Sequence, residues 1–127
     1  MAQESSNHHF GLAVNLSSEA LKSLLWLNGG AATALIALTD KQLGSVDYSC
    51  AVLLFGLGAF LTVVAMACGY FSQLAYANHR LAVEDADATK AKNKLACHER
   101  WQKAAIGLVL LGLATSAAGM VNAFLAI

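Results

Sequence analysis

The sequence predicts an all-α integral membrane protein, a bundle of three transmembrane helices. Apolar residues make up 57% of the 127 residues and charged residues only 13%, whereas soluble domains average roughly 45–50% and about 25%. The apolar residues also collect in three blocks, 24–38, 50–71 and 104–127. Because roughly 20 apolar residues span a bilayer, each block predicts a span. The chain contains no proline, which favours uninterrupted helices.

The first predicted element is a cytoplasmic N-terminal segment, residues 1–17, followed by a first transmembrane helix over 18–39. Residues 10–23 mix apolar and polar positions, so an amphipathic helix lying along the membrane surface is one interpretation of them. The chain would then turn into the membrane, with Ser17 or Ser18 as the N-cap of the first span.

The first apolar block is the shortest and reaches a spanning length only with the residues before it, where Lys22 would snorkel to the interface. A cleaved signal peptide is the competing interpretation, because Ala32-Thr33-Ala34 has the form of a cleavage site. However, Lys22 is the only lysine or arginine before the block, and the apolar run continues past the site. We therefore favour a retained span.

The later elements follow from loop length and charge order. A short outer loop, 40–48, makes the first two helices antiparallel neighbours, and the second span covers 49–75. Its helical pattern continues beyond the apolar block, so residues 76–103 are predicted as a short cytoplasmic helical hairpin that extends helices two and three. Its turn is expected near 85–89, with Asp87 or Thr89 as the next N-cap. The third span covers 104–127.

The placement of lysine and arginine predicts the orientation. Six of the eight lie between the second and third blocks, and Lys22 lies on the same side of a three-span chain, which leaves Lys41 alone on the other side. The N-terminus and the hairpin are therefore predicted in the cytoplasm and the C-terminus outside. The predicted interfacial anchors are Trp26, Tyr76 and Trp101 at the inner boundary and Tyr48 at the outer one.

Asn28-Gly29-Gly30 interrupts the first apolar block. Lipid provides no hydrophobic force between helices, so they associate through close backbone contact and hydrogen bonds. The two glycines face directions about 100° apart, which favours helix contacts on more than one side, although packing within one chain or a local kink is the alternative. A small-residue stripe on this helix comprises Ser23, Leu27, Gly30, Ala34 and Ala37. The predicted helix–helix interface comprises Asn28, Gly29, Gly30, Gly58, Thr62, Gly69, Gly112, Thr115, Gly119 and Asn122.

Three stretches resemble parts of a group of small bacterial membrane proteins. They are ALKSLLWLNGGAATALIAL, FSQLAYANHRLA and RWQKAAIGLVLLGLA, which resemble that group's LNGGAA-type first helix, tyrosine-bearing end of the second helix and basic start of the third. The resemblance covers most of residues 18–115. It implies the three-helix layout and a bacterial inner membrane, and it implies no activity.

The sequence predicts no chemistry. The spans hold no charged residue or histidine at membrane depth, which counts against ion-coupled transport and haem anchoring. Cys97-His98-Glu99 raises a metal hypothesis, but consecutive helical residues point about 100° apart, so we favour a solvated helix face. No catalytic constellation, cofactor, metal, nucleic acid or small-molecule substrate is predicted.

These patterns favour a non-enzymatic protein that, in contact with membrane lipid, forms a homo-oligomer or docks into a larger membrane complex. Small-residue helix faces would make the contact. The predicted cytoplasmic contact surface comprises Arg80, Glu84, Lys94 and Arg100. The alternative is an oligomeric pore or a membrane-permeabilising effector, holin-like or defence-type. Its weakly polar path would be lined by Thr62, Thr115, Ser116 and Asn122.

Overall fold

The computed structural model describes residues 2–41 and 47–126, and it consists there of three helices. Helix α1 spans Ala2–Lys41, α2 spans Ser49–Glu84 and α3 spans Ala88–Leu125. Each is long and apolar enough to cross a membrane, and the described residues form no strand. The prediction of an all-α, multi-pass membrane protein with three candidate spans is therefore confirmed.

Helix α1 is continuous from its first described residue to its last. Its membrane-length part is Val14–Thr39, and the helix runs through Ser17 and Ser18 without the N-cap or the change of direction expected there. The reason lies in the sequence between Gly11 and Gly29, which contains neither glycine nor proline to interrupt the helix. The middle of the predicted outer loop, 42–46, lies outside the described residues.

Helices α2 and α3 form an antiparallel hairpin whose contact repeats every seven residues. The inward rows are Ala51, Gly58, Ala65, Ser72 and His79 on α2, and Ala91, His98, Ala105, Gly112 and Gly119 on α3. All ten residues are buried or half-buried, and eight of them are alanine, glycine or serine. Small residues let helix backbones approach closely in a membrane, and a seven-residue repeat is the period of a left-handed supercoil.

The register of this hairpin is fixed by three pairs seen in contact. An ideal Cβ on Gly112 would lie 3.6 Å from the Gly58 carbonyl oxygen. Nearer the turn, His98 bonds to Ser72 and His79 bonds to Ala91. Because the helices are antiparallel, a residue seven positions later on α2 pairs with a residue seven positions earlier on α3. This pairing continues to the turn. Each histidine faces a small residue, which leaves space for its ring.

The turn between α2 and α3 combines a helix C-cap with a helix N-cap. The Asp87 and Ala86 N–H groups donate to Ala82 O and Val83 O, at 3.0 and 3.1 Å. With Ala86 at φ 56°, this is the Schellman arrangement, in which glycine is the usual residue at the left-handed position. The Asp87 side chain then accepts a hydrogen bond from Lys90 N at 2.9 Å, which confirms the predicted cap.

Asp47, two residues before α2 begins, makes a polar contact with the first residue of that helix. The Asp47 carboxylate accepts a hydrogen bond from Ser49 N at 2.9 Å. Hydrogen bonds from the Ser49 hydroxyl and backbone N–H lower the pKa of Asp47 below its usual value. An ionised carboxylate is also favoured beside the N-terminus of a helix.

Helix α1 packs mainly against α2 and touches α3 over a short stretch. Its inward face contains Leu24 and Asn28, both buried. The small-residue stripe predicted from the sequence lies on the opposite side, and its residues are all exposed: Ser23, Leu27, Gly30, Ala34 and Ala37. The fold therefore holds α1 by one face and leaves the other uncovered within the described chain.

Replacing Ala86 with glycine should stabilise the protein. A left-handed conformation costs a non-glycine residue about 1–2 kcal/mol, and the added freedom of glycine in the unfolded chain offsets about half of that. We expect the free energy of unfolding to rise by about 0.5–1 kcal/mol, measured by circular dichroism during denaturation in mixed micelles. Ala88→Gly, at an ordinary position in the first turn of α3, should give no gain. Equal effects of the two changes would contradict the assigned cap.

Candidate functional site

The three helices meet at the side chain of Asn28, which is 0% exposed. Its Oδ1 lies 2.7 Å from the Ser116 hydroxyl oxygen on α3. On the α2 side the amide packs against Gly58, where an ideal Cβ would lie 3.0 Å from Nδ2. The absence of a side chain at Gly58 therefore makes room for Asn28, and the Asn28–Ser116 contact ties α1 to α3.

Hydroxyl groups around Asn28 bond first to their own helices. Thr62 donates to Gly58 O at 2.8 Å, and Ser116 lies 2.7 Å from Gly112 O. Ser116 has one hydroxyl proton, which cannot be donated fully both to Gly112 O and to Asn28 Oδ1. The oxygen and nitrogen of an asparagine amide are assigned from their surroundings. With the Asn28 amide rotated by 180°, Nδ2 donates to the Ser116 hydroxyl oxygen, and that hydroxyl donates to Gly112 O.

The Asn28 amide is incompletely satisfied. In the orientation described, Nδ2 has no hydrogen-bond partner within the described part of the chain. An unpaired polar group is costly in a low-dielectric interior. Asn28 therefore fixes the position and orientation of α1 against the other two helices, and its unpaired Nδ2 lowers the stability of the fold.

The predicted interface residues differ in how deeply they are buried. The residues buried inside the bundle are Asn28, Gly58, Thr62, Gly112 and Gly119. The half-buried residues are Gly29, Gly69, Thr115 and Asn122, and Gly30 is exposed. An ideal Cβ on Gly119 would lie 3.2 Å from the Phe55 ring, whereas no described atom outside the local helix lies within 4 Å of one at Gly29, Gly30 or Gly69. Some of the glycines therefore pack within one chain, and others border open space.

A second polar contact joins α2 and α3 nearer the turn. His98 Nδ1 lies 2.9 Å from Ser72 O and 2.8 Å from Ser72 Oγ. Because a carbonyl oxygen only accepts, Nδ1 carries the proton and donates to it. By the same reasoning His79 Nδ1 donates to Ala91 O at 2.8 Å. The Tyr76 ring lies beside both, with centroids 5.2 Å from His98 and 6.1 Å from His79.

This contact corrects one expectation from the sequence. His98 does not lie on a solvated helix face, because it is half-buried and bonded to the opposite helix. The signal that would have placed it is the seven-residue spacing of Ala91, His98 and Ala105, which matches the spacing from Ser72 to His79. The described residues contain no group of three or more histidine, cysteine or acidic side chains that could hold a metal.

The residues predicted as the cytoplasmic contact surface and as interfacial anchors differ in exposure. Arg80, Glu84 and Arg100 are exposed and Lys94 is half-buried. Trp26 is 80% exposed. The Trp101 ring lies tilted against Phe71, with ring centroids 5.2 Å apart, and remains 38% exposed. Tyr48 is buried and Tyr76 half-buried. The two tryptophans are thus accessible to a membrane interface, whereas the two tyrosines pack within the bundle.

Adding a methyl group at Gly58 should loosen α1. Gly58→Ala places a Cβ against a confined Asn28 side chain, and overpacking of this kind costs about 1–3 kcal/mol. Gly30→Ala, where the same Cβ meets open space, should be neutral or stabilising. Unfolding in mixed micelles measures both. The penalty at Gly58 should shrink in an Asn28→Ala background, and an equal penalty in both backgrounds would contradict the contact.

Removing the His98 ring should destabilise the hairpin. His98→Ala loses the hydrogen bond to Ser72 O, for which we expect a loss of about 1 kcal/mol in the free energy of unfolding. Glu99→Ala removes an exposed neighbouring side chain and should change stability by less than about 0.5 kcal/mol. If the two variants unfold alike, the buried contact has been placed wrongly.

Comparison with known proteins gives no relative for this chain. No family model, no curated protein and no solved structure matches it. The resemblance of three sequence stretches to small bacterial membrane proteins therefore stays a prediction.

Proposed function

We propose that the protein is a non-enzymatic component of a membrane assembly and that it self-associates through the outward face of α1. The observation that carries this proposal is the exposure of the whole α1 stripe defined above, from Ser23 to Ala37. Leaving apolar surface exposed costs little free energy in lipid. A row of small residues is a different feature, because it favours close approach of another helix.

The Asn28-Gly29-Gly30 sequence supports this division of faces. Asn28 points into the bundle, Gly29 is rotated from it by about 100° and Gly30 by about 200°. No described atom outside the helix lies within 4 Å of an ideal Cβ at either glycine. Thr33 donates its hydroxyl to Gly29 O at 2.9 Å, so its polar group is satisfied and its methyl group is available for packing.

The proposed interface contains fewer residues than the helix–helix interface predicted from the sequence. Gly58, Gly112 and Gly119 already contact other helices of the same chain. They are therefore unsuitable for contact with a second chain unless the bundle opens. Gly29 and Gly30 are suitable without any rearrangement.

The proposed setting is the bacterial inner membrane with the N-terminus in the cytoplasm. The lysine and arginine bias supports this orientation. We place the end of the hairpin beyond the membrane surface, as an extension of α2 and α3, because charged residues concentrate there. Its exposed Arg80, Glu84 and Arg100 would then form the cytoplasmic contact surface together with half-buried Lys94.

The alternative function, an oligomeric pore, is less well supported. Two of its proposed lining residues, Thr62 and Ser116, are buried inside the bundle, and both hydroxyls bond to carbonyls of their own helices. A path lined by them would have to pass between the helices of one chain. We therefore favour association over conduction.

Bulky residues on the open face of α1 should disperse the assembly. The double variant Gly29→Leu/Gly30→Leu should insert normally but lose its oligomer mass, measured by native mass spectrometry or light scattering in mild detergent. Gly107→Leu, at an exposed glycine of α3 with open space around it, should keep that mass.

Two results would count against the proposal. One is a strictly monomeric wild-type protein with no co-purifying protein, and the other is an oligomer that survives the double change. Dye release from vesicles that contain the wild-type protein would favour the pore instead.

A further inference from the structure

A cleft of about 430 Å³ lies between the N-terminal half of α1 and the α2–α3 hairpin. Leu21 on α1 and Met66 on α2 form part of an apolar wall. Gln73 on α2 and Gln102 on α3 contribute carboxamide groups. All three helices therefore contribute to one concave site, which combines apolar and uncharged polar surface.

The cleft depends on Gly69. This residue belongs to a row on α2 that also contains Phe55, Thr62 and Tyr76, each seven residues from the next. Those three side chains are buried or half-buried, so the row normally fills the space beside the inward face. At Gly69 the side chain is missing, and no described atom outside the helix lies within 4 Å of an ideal Cβ. A larger residue there would fill the cleft.

The polar side of the cleft can donate hydrogen bonds to oxygen atoms from uncharged groups. Gln73 and Gln102 provide N–H donors, and Tyr70 and Ser18, which carry hydroxyl groups, are also among the lining residues. Within the described chain, the two carboxamides make no hydrogen bond to another residue. They are therefore available to a bound molecule.

The position of the cleft along the helices suggests which molecule fits. Gln102 lies between Trp101 and Lys103, and Leu21 precedes Lys22, which is the aromatic and basic pattern of a membrane boundary. At that depth phospholipids present their phosphate and ester oxygens, and their acyl chains extend toward the middle of the bilayer. Leu21 and Met66 lie at the end of the cleft nearer the centres of α1 and α2.

We propose that this cleft binds one phospholipid. Gln73 and Gln102 donate hydrogen bonds to its ester and phosphate oxygens, and an acyl chain packs against Leu21 and Met66. The inference requires that the protein lies in a membrane, and it is independent of the proposed self-association.

The test is lipid retention by the full chain in mild detergent, measured by native mass spectrometry after addition of phosphatidylethanolamine or phosphatidylglycerol. The wild type should keep one phospholipid per chain. Gly69→Leu should lower the bound fraction by about tenfold, which is a large but attainable change in affinity. Gly107→Leu is the matched control, since it adds the same side chain to an exposed glycine outside the cleft, and it should retain lipid like the wild type.

A second variant keeps the test valid if Gly69→Leu unfolds. Gln73→Leu/Gln102→Leu leaves the cleft open but removes its amide donors, and it should lower retention by about fivefold or more. Equal retention by the Gly69 and Gly107 variants, or binding of detergent alone, would overturn the proposal. The same spectra give the number of subunits, so loss of lipid with an unchanged oligomer distinguishes this site from the α1 interface.

Discussion

The close approach of α2 and α3 is the constraint on which the rest of the structure depends. In lipid the burial of apolar side chains contributes little to helix association, so backbone proximity has to supply the attraction. The inward rows achieve it with alanine, glycine and serine at seven-residue intervals, and Gly58 lies against Gly112 with almost nothing between them. The same register brings His98 to Ser72 and His79 to Ala91, where a change of one residue would direct the rings elsewhere.

Helix α1 is attached to this hairpin in a different way. Its central contact is a buried amide that fits into the space left by Gly58 and reaches Ser116 on the far helix. A polar contact that is incompletely satisfied contributes position more than stability, as buried polar residues do when they set the register of a coiled coil. This explains how α1 can be held in one orientation by a narrow face. The remaining face and the cleft beside Gly69 are the surfaces to which we assign contacts with other molecules.

The sequence was sufficient for the number and type of the helices, because apolar block length is a direct consequence of bilayer thickness. It also located the turn, since Asp87 is a good N-cap. It did not show that Ala86 closes α2, because the residue typical of that position is glycine and an alanine occupies it here. Nor did spacing alone decide which side of α1 faces inward, since glycines on both sides suit helix contact. His98 was misplaced because a polar residue beside charged neighbours resembles a solvent face until its partner, Ser72, is known.

Cysteine cross-linking in native membranes tests the α2–α3 register most directly. In a chain whose Cys50, Cys68 and Cys97 are replaced by alanine, Ala65→Cys is paired either with Ala105→Cys or with Gly112→Cys. The register places Ala65 opposite Ala105, whereas Gly112 is seven residues and about 10 Å further along α3. A disulfide needs Cα atoms within about 7 Å, so mild oxidation should link 65 to 105 rapidly within one chain and leave 65 and 112 unlinked. Preferential linkage of 65 to 112, or linkage of 65 to 105 only between chains, would contradict the account.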